Sequence, residues 1–207
     1  MTIKSFAYSP KNDQVVTFQN NAREEEVWSS ELVLRSGNAF AAGIRVQLEG
    51  HAREAMWIGD TNLLVVADNK APGQKGPFSY GRKLVYSISL GGERPESRTL
   101  MRHDWISKVA VAPDQRHFIT TTRNNTSCWK VGHWKPLWTQ PGDQRVTFGD
   151  NGWVLLHNGP AIAYSLADGK ELWRKDNVKT ARAIGSHIWT WNENKMETWK
   201  VELEESR

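Results

Sequence analysis

The residues of this chain that could do chemistry are six histidines, one cysteine and a scatter of carboxylates. Their spacing assembles none of the common reactive centres. His51, His103, His117, His133, His157 and His187 fall one to a turn or a short apolar run. No two of them take the spacing of a helical metal pair, and a single thiol, Cys128, supplies no cysteine pair. Asp13, Asp60, Asp114, Asp143, Asp150 and Asp168 sit in turn-forming sequences, where a short carboxylate caps the backbone. No glycine-rich loop precedes a helix, and spacing alone sets up no Ser-His-Asp arrangement. The expectation is a chain with no catalytic residue, no metal and no cofactor, in which Cys128 is a buried, inert thiol.

A second group of residues could bind rather than react. Asn69 to Arg82 carries three glycines, two prolines and three cations around two aromatics. Lys70, Lys75, Phe78, Tyr80 and Arg82 are the candidates there for contact with a partner. With Lys83, the same cations and rings would suit single-stranded nucleic acid, which is held by charge and stacking. The wider charge pattern favours a solvated mixed surface over a nucleic-acid track. The net charge of +4 comes from 27 basic and 23 acidic residues, interspersed rather than run together.

These residues need a scaffold, and the chain advertises one by repeating itself. Phe118, Trp153 and Ile188 are 35 residues apart, as are Trp129, Tyr164 and Trp199. Val111 and Val146 keep that step, and so do Trp138 and Trp173. A fixed period of this size marks a repeat architecture. Within each period four short runs rich in β-branched and aromatic residues alternate with turn signals such as Pro113-Asp114, Asn124-Asn125 and Asp168-Gly169. No run shows a helical period. The prediction is all-β: a β-propeller of about five four-stranded blades, approximately 3–49, 50–102, 103–140, 141–176 and 177–203, in one domain. The third-strand aromatics are then Trp28, Tyr86, Trp129, Tyr164 and Trp199. Most of the 11 tryptophans become blade-packing residues. The Asn69–Arg82 stretch becomes an insertion between the second and third strands of the second blade.

Two resemblances fit this scaffold. His103-Asp104-Trp105-Ile106 leading to Val109-Ala110-Val111-Ala112-Pro113-Asp114 resembles the entry to a blade in WD-repeat propellers. Phe6-Ala7-Tyr8-Ser9-Pro10 resembles the same first-strand ending, and Gly50-His51 matches the family's Gly-His dipeptide. The resemblance implies a buried hydrogen-bonded set in which His103, Thr121 and Trp129 take part, with Asn124 or Asn125 where the family has Asp. Trp129 and Trp199 are followed by Lys and Trp28 by Ser, so the signature Trp-Asp is absent and the pattern is degenerate. Separately, Ala163-Tyr164-Ser165-Leu166-Ala167-Asp168-Gly169-Lys170-Glu171-Leu172-Trp173 is similar to the quinoprotein-type propeller repeat. Tyr164 and Trp173 join His103, Thr121 and Trp129 as expected structural residues.

The fifth repeat contains three recognisable strands. An uncovered blade edge presents unpaired backbone groups and invites a partner strand, which makes Trp199 and Val201 further partner-binding candidates. The function expected is a non-enzymatic, WD-like interaction scaffold or adaptor subunit, its last blade incomplete and its propeller either a small ring or an open arc completed by another protein. The alternatives are a nucleic-acid-binding accessory subunit using the basic 69–83 loop, and a propeller enzyme of quinoprotein or glycosidase type. A glycosidase would need carboxylates on first strands, where Glu54 is the nearest candidate. A lone cysteine, no membrane-length apolar run and no signal-like start point to a cytoplasmic protein without membrane contact.

Overall fold

The computed structural model describes residues 3–9, 13–21, 29–36, 43–69, 82–92, 94–103, 105–193 and 195–202. Every regular element among them is a β-strand, and the chain divides into two compact units, Met1–Trp105 and Ile106–Arg207.

The first unit holds two antiparallel four-stranded sheets with strands in chain order. They are β1 (Ile3–Ser9), β2 (Gln14–Asn21), β3 (Ser29–Ser36) and β4 (Ile44–Glu49), then β5 (His51–Ile58), β6 (Asn62–Asn69), β7 (Arg82–Ser89) and β8 (Glu96–His103). Alternation sends every second side chain to the same face. Val16, Phe18, Leu32, Leu34, Val46 and Leu48 of the first sheet therefore meet Leu63, Val65, Ala67, Leu84, Tyr86 and Ile88 of the second in one core. Leu63 to Ala67 are all buried, so β6 is covered on both faces and reads as a continuous apolar run. The expected third strand of the first repeat ended on Trp28. That residue lies outside the described ones, and the strand is Ser29–Ser36, where Leu34 pairs with Val16.

The link between these two sheets is the Gly50-His51 dipeptide. Gly50 has φ +83°, and a Cβ there would stand 2.6 Å from the Asp68 carbonyl oxygen, so the position admits glycine alone at no cost. Ser30, fully buried in β3, clamps the link. Its hydroxyl lies 2.7 Å from the Gly50 carbonyl and accepts from the Ala52 amide at 2.7 Å. The Tyr86 hydroxyl donates to the Glu49 carbonyl at 2.9 Å.

The second unit holds three sheets. They are β9 (Ile106–Val111), β10 (His117–Thr122), β11 (Asn125–Lys130) and β12 (Trp138–Pro141); then β13 (Arg145–Phe148), β14 (Trp153–His157), β15 (Ala161–Ser165) and β16 (Glu171–Lys175); then β17 (Thr180–Ile184), β18 (His187–Asn192) and β19 (Lys195–Lys200). The five sheets span residues 3–49, 51–103, 106–141, 145–175 and 180–200. In this unit successive sheets pack face to face. Ile119 and Cys128 meet Val154, Leu156 and Tyr164, while Trp153, Leu155 and Ala163 on the opposite face meet Ala181, Ile188 and Val201.

The β9–β10 turn shows how these hairpins are held. Asp114 accepts from the amides of Arg116 (2.8 Å) and His117 (3.0 Å), and its second oxygen lies 2.5 Å from His117 Nδ1. Partial burial pushes the Asp114 carboxyl up, but the bonds from His117 and Arg116 outweigh it and hold the carboxyl below its ordinary range. A depressed carboxylate stabilises the fold above its unfolded value and loses that contribution as pH falls through the folded value. Asp114→Ala should therefore lower the melting temperature at pH 7 by about 2–4 °C, the size expected of one net hydrogen bond. The gap to the parent should narrow in melts recorded at increasingly acid pH, as the pH falls through the lowered folded value and the parent's carboxylate is protonated.

Candidate functional site

The first strands of the second unit bring together a site that sequence reasoning missed. An open cavity of about 630 Å³ lies against β9, β13 and β17, and its lining includes Lys108, Arg145 and Arg182. Their positions follow from register. Lys108 pairs with Thr121, two residues on from Ile119, so both point toward the following sheet. Arg145 pairs with His157, two residues on from Leu155, and also points toward its following sheet. Arg182 pairs with Trp189, next to the inward-packed Ile188, and so points the same way from its own sheet. Lys108 and Arg145 thus occupy one structural position, three residues before Val111 and Phe148, which pair with Phe118 and Val154; Arg182 shares their face but stands two residues further along its strand, next to Ala183, which pairs with Ile188.

Hydroxyls and one carboxylate surround them. The register slips between Thr121 and Thr122, which leaves Ser107 as the extra residue of a β-bulge beside Lys108. Ser107 donates to Asp143 at 2.8 Å and lies 2.7 Å from the Thr121 hydroxyl, so the three form a short chain ending on the carboxylate. Asp143 is thereby engaged by a neutral donor. Among the described residues, Lys108, Arg145 and Arg182 have no ion-pair or hydrogen-bond partner. Three cations against one carboxylate give the lining a positive excess. Sequence reasoning reads these first strands as carrying Val, Ala, Phe and Ile. That holds for the side chains that pack, and fails for the alternate ones that line the cavity.

A second surface is the outer edge of the last sheet. Four sheets have four strands; β17, β18 and β19 make three, and among the described residues no strand pairs with the outer side of β19. Met196 (56% exposed) and Trp199 (38% exposed) stand on this strand. The Trp199 ring lies 6.0 Å from that of Trp173, with Lys175 Nζ 4.7 Å above it. Glu197 pairs with Lys175 and Lys195, which hold its carboxyl below the ordinary range. Val201 does not share this exposure. It is buried at 7%, packs with Leu155 and Ile188, and donates its amide to the Ser186 carbonyl at 2.9 Å.

The other expected site residues are dispersed. Lys70, Lys75, Phe78 and Tyr80 lie outside the described residues, as do the side chains of Arg82, which opens β7, and His103, which closes β8. Trp129 is buried, stacked on Phe118 with centroids 6.0 Å apart. Its indole donates to Thr120 at 2.9 Å, so Thr120 takes the place foreseen for Thr121, whose hydroxyl points into the cavity with Ser107. Asn124 and Asn125 form a turn whose amides donate to the Thr122 hydroxyl. Tyr164 packs against Trp138. Among the described residues there is no group of three His, Cys, Asp or Glu side chains that could hold a metal.

No family model matches the sequence, and comparison with curated proteins finds no match. Solved structures do resemble it. The β-propeller domain of the Trilobed protease from Pyrococcus furiosus is 11% identical with a TM-score of 0.58, covering 97% of this chain and 70% of that one. Its structure is described as having an open velcro topology. The acylaminoacyl peptidase of Pyrococcus horikoshii is 10% identical with a TM-score of 0.50; the match covers 86% of this chain and 33% of the peptidase, so this chain spans about a third of it. BamB from Moraxella catarrhalis is 10% identical with a TM-score of 0.39, covering 96% and 71%. The chain has a β-propeller fold built from antiparallel, mostly four-stranded sheets.

Proposed function

We propose that this chain is a non-enzymatic protein-interaction module that docks a partner along the outer edge of β19. The observation that supports it is a strand whose outer side no described strand pairs, carrying Met196 and Trp199 in the open beside the Trp173 ring. Such an edge offers main-chain hydrogen bonds for affinity, and alternate side chains give specificity. Within the propellers we read the repeats as degenerate WD type; the Trp129–Thr120 pair and the Gly50 link support that reading. A lone, buried thiol suits a reducing, cytoplasmic setting.

The experiment is affinity purification from the natural source using the parent chain, Met196→Glu with Trp199→Glu, and a control, Lys135→Glu, on an exposed loop. The reading expects a protein that the parent and control recover and the edge variant loses, with the β19 amides exchanging more slowly in the complex. Equal recovery by all three chains overturns it, as does a parent that purifies alone.

A further inference from the structure

We infer that the cavity against β9, β13 and β17 is a binding site for an acidic peptide segment, read by Lys108, Arg145 and Arg182. The inference rests on the reading of the chain as a protein-binding module but concerns a different surface from the β19 edge. Three observations carry it. The cations stand on the first strands of three successive sheets, all turned the same way into an open cavity of about 630 Å³. None of them has a partner among the described residues, and the nearby carboxylate of Asp143 is occupied by Ser107. The rest of the lining combines hydroxyls, Ser107 and Thr147 among them, with aliphatic surface that includes Ile184, 56% exposed.

Charge selects the ligand. Cations from three successive sheets line one open cavity, more positive charge than a single carboxylate balances, and a segment carrying several carboxylates matches it. An extended peptide advances about 3.3 Å per residue, and acidic side chains two or three residues apart recur every ~7–10 Å. Arginine's planar fork binds each carboxylate in bidentate fashion. A single-stranded nucleic acid has a comparable charge repeat, but it gains its affinity from bases stacked on aromatic rings. This lining is aliphatic, from Val146, Ala181 and Ile184, and suits apolar side chains between the acids instead.

The test is fluorescence anisotropy with a labelled peptide of about ten residues carrying glutamate at every second position. A labelled oligonucleotide of matched charge serves as the competing probe. The parent chain should bind the peptide more tightly than the oligonucleotide, and more weakly as salt is raised. Arg145→Glu and Arg182→Glu should each weaken peptide binding by roughly tenfold or more, while Lys135→Glu leaves it unchanged. All these residues are exposed, so melting temperatures should match the parent's. The proposal is overturned if the parent does not bind the peptide, if the two arginine variants bind as well as Lys135→Glu, or if the oligonucleotide binds tighter. Trp199→Glu should retain full peptide binding. A failed peptide assay alongside a successful edge capture would therefore remove this inference and leave the other standing.

Discussion

Trp153→Ala should lower the melting temperature by roughly 10 °C or more, the largest stability loss expected of any single truncation in the second unit. Trp153 is 1% exposed and is the largest of the fully buried side chains. It packs with Leu155, Ala163 and Ile188 between two sheets. Removing a buried indole forfeits its transfer free energy and leaves a cavity that stiff sheets on either side cannot close, about 3–5 kcal/mol in all. Gly149→Ala should be damaging for the opposite reason. A Cβ at Gly149 would fall 1.9 Å from Trp153 Cε2 and 2.0 Å from Cζ2, and the ring has nowhere to retreat. Overpacking of this kind costs about 1–3 kcal/mol. The two sites therefore couple. Gly149→Ala combined with Trp153→Leu should be less damaging than the sum of the single changes, because the smaller side chain frees the space that the new methyl requires. Thermal melts of the four chains give the coupling directly. Additive losses would show that Gly149 is constrained by something other than the ring.

That pair of residues also shows what a 35-residue step captures and what it hides. The step holds for the third strands. Trp129 stacks on Phe118 away from the following sheet, Tyr164 packs toward the preceding one, and Trp199 reaches back to Trp173. It fails for the second strands. Phe118 and Trp153 are 35 apart, yet Phe118 shares a face with Trp129 while Trp153 packs toward the following sheet. The equivalent of Phe118 is Val154. One residue of difference in a turn reverses which face a side chain takes, and both faces are buried, so hydrophobicity does not report the slip. The same cause separates Thr120 from Thr121. Neighbouring hydroxyls on a doubly buried strand look alike in sequence, but alternation places one under the Trp129 indole and the other in the cavity.

The sheets themselves were legible because their signals are local. Turn residues and alternating apolar runs locate four strands per repeat with little help from the rest of the chain. The cation set was not legible, because exposed charges carry no packing signal. It becomes meaningful only when pairing shows that Lys108, Arg145 and Arg182 point the same way. The binding residues expected in the Asn69–Arg82 insertion were chosen on composition, which identifies a loop but not what it faces.

Cys128 gives the second large effect. At pH 8 its alkylation by iodoacetamide should run at least about a thousandfold slower than that of an exposed thiol. Burial, and to a lesser degree the Asp114 charge, push the thiol up to about 12. An ordinary thiol near 8.5 is about a quarter thiolate at pH 8, whereas one near 12 is ionised about once in ten thousand molecules. Access compounds the chemistry, because Cys128 is fully buried between sheets with its sulfur 3.6 Å from the Leu166 carbonyl. Modification must therefore proceed through opening of the second unit. Labelling and loss of fluorescence should share one denaturant midpoint. Trp138 donates its indole to that same Leu166 carbonyl at 3.2 Å and packs against the same core. Trp138→Ala should accordingly speed labelling and lower the midpoint together. The sign with pH is also set. The unfolded thiol ionises first, so as pH rises from its ordinary range toward about 12 the folded state loses stability, and Cys128→Ala should flatten that part of the decline. Rapid stoichiometric labelling of the native chain at pH 8 would contradict the burial and the raised ionisation at once.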